Sequence, residues 1–75
     1  MNDKRRSSLK LAVRHLKRAS DIVESAADEE QDCLDCIPEN LQNTDRYTSM
    51  EDAVDSLNDA LSSIDDSIEK IEGTI

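Results

Sequence analysis

Residues 50–75 read MEDAVDSLNDALSSIDDSIEKIEGTI. Within them Met50, Val54, Leu57, Leu61, Ile64, Ile68, Ile71 and Ile75 follow one another at intervals of 4-3-4-3-4-3-4 without a miss. A 3.5-residue repeat of apolar side chains is the pattern of a left-handed coiled coil. Val54, Leu61, Ile68 and Ile75 take the a positions, and Met50, Leu57, Ile64 and Ile71 the d positions. The remaining positions are filled mainly by Asp, Glu, Ser and Asn, as a solvated face requires. Thr48 with Glu51 three residues on fits a capping box. Gly73 stands where a helix stops. The spacing therefore predicts a helix over about residues 49–72.

Working outward, residues 7–32 carry a weaker copy. Leu9, Val13, Leu16, Ser20, Val23 and Ala27 keep the 4-3 spacing, with one polar interruption at Ser20. A helix over about residues 6–32, capped by Ser7 or Ser8, follows. Residues 33–47 connect the two, with Pro38 placed to open a short helical turn through Leu41. A short connection between helices of equal length implies antiparallel neighbours. The flanks agree. In that orientation Lys10 faces Glu72 and Lys17 faces Asp65, whereas a parallel pair sets Glu24 against Asp65. The other flank, Ala12, Ala19 and Ala26 opposite Ala53, Ala60, Ser67 and Thr74, is small throughout and predicts close approach of the backbones. The expected architecture is all-α: residues 1–75 form a single two-helix antiparallel coiled-coil hairpin.

A 75-residue chain buries only about 60% of the surface its unfolded form exposes, and this one has a single Tyr and no Phe or Trp. Chains of this kind commonly need a staple, a metal or a second copy. Leu11 and Ile22 fall outside the seam, on one stripe with His15 and Arg18. A homodimer closing into a four-helix bundle is expected from that surplus.

Charge is divided along the chain. Residues 1–18 hold seven basic side chains and one acid, whereas residues 19–75 hold two basic side chains and 17 acids. The net charge of −9 repels nucleic acid and membrane phosphate and favours basic proteins as partners. No direct nucleic-acid or membrane binding is expected. Nor does any apolar run reach the ~20 residues of a membrane span. The basic start is interrupted too often to be a signal peptide, and a cytoplasmic location is expected.

Few residues point to chemistry. Cys33 and Cys36 form a Cys-x-x-Cys. A redox pair needs thiolates stabilised by a helix N-terminus or a cation, but this one follows a helix C-terminus among Asp32, Asp35 and Glu39. A zinc site needs four ligands, which only two chains together supply. The plainer reading makes Cys33, Leu34, Cys36 and Ile37 an apolar plug at the open end of the hairpin, with an interchain metal or disulfide as the alternative. His15 lies outward among Arg14, Lys17 and Arg18 with no carboxylate to orient it as a base. The acids Asp55, Asp59, Asp66 and Glu69 take outer positions and match neither a di-iron bundle motif nor a calcium loop. No enzyme and no cofactor are expected.

Residues 37–42, Ile37-Pro38-Glu39-Asn40-Leu41-Gln42, with Arg46-Tyr47 and Met50-Glu51-Asp52-Ala53-Val54-Asp55 beyond, resemble a group of small acidic helical-hairpin proteins of Firmicutes and their phages. In these a Pro-Glu-Asn-Leu-Gln turn joins two helices. The resemblance covers roughly residues 30–72. It implies a mobile-element setting, in which small acidic proteins act as inhibitors of host proteins, and it carries no activity over. From the residues themselves, Leu41 is expected to pack under the turn, and Tyr47, placed in the connection, is the best single contact residue. The expected function is protein–protein interaction. In one form the acidic face, Asp55, Asp59, Asp66 and Glu69, inhibits or decoys a basic host protein. In the other, the chain is a structural coiled-coil adaptor. Tyr47, Leu11 and Ile22 complete the expected contact set.

Overall fold

A computed structural model describes all 75 residues. The chain is all-helical. Helix α1 spans Asp3–Asp35, a 3-10 turn spans Glu39–Leu41, and helix α2 spans Asp45–Glu72. The molecule is a rod, with extents of 59 × 14 × 13 Å and a radius of gyration of 17.2 Å. A compact chain of this length would have a radius of about 11 Å. The rod's length is set by α1, whose 33 residues rise about 50 Å.

Both helices run further than their repeats alone required, because different residues cap them. Asn2 caps α1, its side-chain oxygen accepting from the Arg5 N–H at 2.9 Å, so Ser7 and Ser8 lie inside the helix. Thr44 caps α2, accepting from the Tyr47 N–H at 3.2 Å and donating to the Leu41 carbonyl at 2.9 Å. Thr48, expected as the cap, instead donates to the Thr44 carbonyl at 3.4 Å. One hydroxyl thus serves both the turn and a free amide in the first turn of α2, which is why the earlier threonine prevails.

Two cross-helix contacts set the orientation. Ser20 Oγ donates to Asp65 at 3.2 Å, and Lys17 Nζ pairs with Glu72 at 3.3 Å. Going back along α1 moves forward along α2, so the pair is antiparallel. The expected partners differ, Glu72 meeting Lys17 rather than Lys10. Side chains lean toward their own helix N-terminus. In an antiparallel pair Lys17 therefore leans toward the chain termini and Glu72 toward the turn, and they meet from staggered backbone levels.

The seam is the expected one with an extension. Val13, Ala27, Leu34 and Val54 are buried. Leu9, Leu16, Ser20 and Val23 of α1 are half-buried, as are Met50, Leu57, Leu61, Ile64, Ile68 and Ile71 of α2, with Ile75 beyond its end. Half-buried Glu30 and buried Leu34 continue the 4-3 spacing past Ala27. The small flank is only partly in contact, since Ala12, Ala19 and Ala53 are half-buried but Ala26, Ala60, Ser67 and Thr74 are exposed.

Candidate functional site

The first surface is the outer face of α2. Asp55, Asp59, Asp66 and Glu69 are all exposed there. The chain's ion pairs are Arg6–Asp3 and Lys17–Glu72, so none of these four carboxylates is paired within the molecule. Nine acidic residues stand on the 28 residues of α2, a rise of about 42 Å. With Arg46 and Lys70 on the same helix the net charge is −7, a mean spacing of about 6 Å per charge, against 3.4 Å per phosphate along one strand of a nucleic-acid duplex.

The second surface is the outward stripe of α1. Leu11 is 46% exposed and Ile22 54% exposed, where their spacing placed them. His15 and Arg18, between them, are exposed as well. The stripe is apolar at its ends and basic in its middle.

The third surface surrounds the turn, and sequence reasoning missed it. A cleft of about 450 Å³ is lined by Cys33, Cys36, Ile37, Pro38, Leu41, Thr44, Arg46 and Met50. Leu34 and Ile37 do cover the end of the hairpin, Leu34 being buried and Ile37 half-buried. Cys33 and Cys36 do not: both are exposed free thiols. Leu41, expected to pack under the turn, is 47% exposed and forms a wall of the cleft. Pro38 is extended, with φ −59° and ψ 147°, between α1 and the 3-10 turn, and the Gln42 side chain donates back to the Ile37 carbonyl at 3.4 Å.

Tyr47 is corrected as well. It lies in the first turn of α2 and is half-buried, because Thr44 starts the helix before it. It is therefore not a projecting loop side chain. No cluster of three or more His, Cys, Asp or Glu side chains has metal-binding geometry. No helix is long and apolar enough to cross a membrane. The sequence carried only the sulfur spacing: Cys33 and Cys36 stand one helical turn apart, and Met50 opens the α2 repeat just across the turn. Reading the cysteines as a plug concealed it.

No family model matches the chain, and neither curated proteins nor solved structures give a significant match.

Proposed function

We propose that the protein is a non-enzymatic interaction module that engages a basic host protein through the outer face of α2, as an inhibitor or decoy encoded by a phage or other mobile element. The observation that carries this reading is the row of exposed, unpaired carboxylates at Asp55, Asp59, Asp66 and Glu69. Their helix holds its net charge at a little over half the linear density of a nucleic-acid strand, so a protein built to grip phosphates meets a field of the same sign along an extended row. The turn's resemblance to hairpin proteins of Firmicutes and their phages supports the mobile-element setting. The test is capture from host lysate at ~0.1 and ~0.5 M salt, across which screening of exposed charges deepens. A partner retained at low salt, released at high salt, and lost when the four acids become Asn and Gln bears the reading out. Capture unaffected by the neutral variant overturns it.

A second reading is a homodimeric four-helix bundle serving as a coiled-coil adaptor. It is favoured by surface area. The chain exposes 5668 Å², whereas a compact protein of 8.4 kDa exposes about 4,600 Å². The surplus of about 1,000 Å² is comparable to the ~800 Å² that each partner buries in a standard interface. Sedimentation at ~10 and ~200 μM decides it, since dimer population follows protomer concentration. An 8.4 kDa species at both concentrations removes this reading.

A further inference from the structure

We propose that the cleft at the turn binds monovalent copper through the thiolates of Cys33 and Cys36 and the thioether of Met50. Three sulfur side chains line this one cleft, and the two cysteines are free and exposed. Free cysteine is ordinarily among the most buried residue types, so two exposed thiols on so small a chain call for a role. Cys33 belongs to the last turn of α1, and Cys36, its C-cap, keeps helical backbone angles of φ −86° and ψ −5°. The pair therefore has helical i, i+3 spacing, with Cβ atoms about 5–6 Å apart on one face. A disulfide needs them within about 3.5–4.5 Å and would require the helix end to distort. A metal ion held between the two sulfurs spans the larger gap without that distortion.

The donor set selects the ion. Thiolate and thioether are soft ligands that favour Cu(I). Structural zinc requires four ligands, normally Cys and His. Here the only histidine, His15, lies 18 residues before Cys33, about 27 Å along the helix. Binding breaks two S–H bonds and releases two protons. The copper remains Cu(I), and no electron is transferred. Two thiolates and one Cu(I) leave a single negative charge, which Arg46 on the cleft wall opposes and the neighbouring Asp32, Asp35 and Glu39 add to.

The experiment titrates the reduced full-length chain with Cu(I), without oxygen, against a coloured Cu(I) chelator. One Cu(I) per chain is expected, with a rise in thermal midpoint because the ion binds the folded form preferentially. Cys33→Ser or Cys36→Ser should abolish retention. Met50→Leu keeps the apolar volume and should weaken retention about tenfold, with helicity by circular dichroism confirming that each variant is folded. Equal affinity in the Met50→Leu variant, or equal affinity in urea-unfolded chain, overturns the site. One ion shared by two chains, or zinc held more tightly than copper, overturns it too.

Discussion

The two helices contribute to one seam in opposite ways. The apolar repeat of α2 is unbroken, whereas that of α1 is interrupted at Ser20 and again at Glu30. Yet α1 supplies three of the four buried residues, Val13, Ala27 and Leu34, and α2 only Val54. Size accounts for three of the four: Val13, Ala27 and Val54 are short side chains that the longer ones facing them can cover, whereas Leu34 is a long one buried beside the turn. The strong repeat of α2 leaves a row of half-covered Leu and Ile, in addition to the more exposed Leu11 and Ile22 of α1.

The seam is most vulnerable at the centre of α2. Leu57→Asp or Ile64→Asp removes a contribution of about 1.5–3 kcal/mol and adds a poorly solvated charge. A chain this short has only a few kcal/mol in reserve, so circular dichroism should show most of the helix lost at room temperature. A folded variant would mean that the seam does not hold the hairpin together.

A sharper test sets a covered residue against a half-covered one. Val54→Ala removes two buried carbons, about 1.6 kcal/mol. Ile71→Ala removes three carbons that are only partly covered, and urea midpoints should show a loss no larger than that at Val54. A loss at Ile71 more than twice that at Val54, growing with protein concentration, would show that a second copy covers the α2 row. Smaller still, Thr44→Ala should cost about 1 kcal/mol, whereas Thr48→Ala should cost well under half as much. A reversed order would place the start of α2 at Thr48. Least of all, Lys17→Ala should cost at most about 1 kcal/mol, because exposed ion pairs are weak. Repeating the melt in high salt should erase that difference.

What could be read from the sequence followed periodicity. The seam from Val54 to Ile75, the antiparallel direction and the outward placement of Leu11, Ile22, Asp55, Asp59, Asp66 and Glu69 all depend on a repeat that only a helix produces. The helix starts were misplaced because several Ser, Thr and Asn residues compete as caps, and the choice rests on which hydroxyl or amide also satisfies a neighbouring carbonyl. Thr44 does so through Leu41. Tyr47 was misassigned as a direct result. The cleft was hidden for a different reason. No repeat governs a turn, and whether Cys33, Cys36 and Leu41 fold inward or stand open depends on the path that Pro38 and Gln42 impose on the backbone.

The stagger of Ser20 against Asp65 has a consequence for how the molecule meets others. A cut across the rod at that bond leaves residues 1–20 and 65–75 at one end, with eight basic and five acidic side chains. The other end, residues 21–64, has one basic side chain and 13 acidic ones. Antiparallel folding thus converts a gradient along the chain into a polarity between the tips of a 59 Å body. In the field of a cationic surface such a body feels a torque before it feels a contact, and it turns its bend forward. The tip that arrives first is the one bearing the exposed thiols.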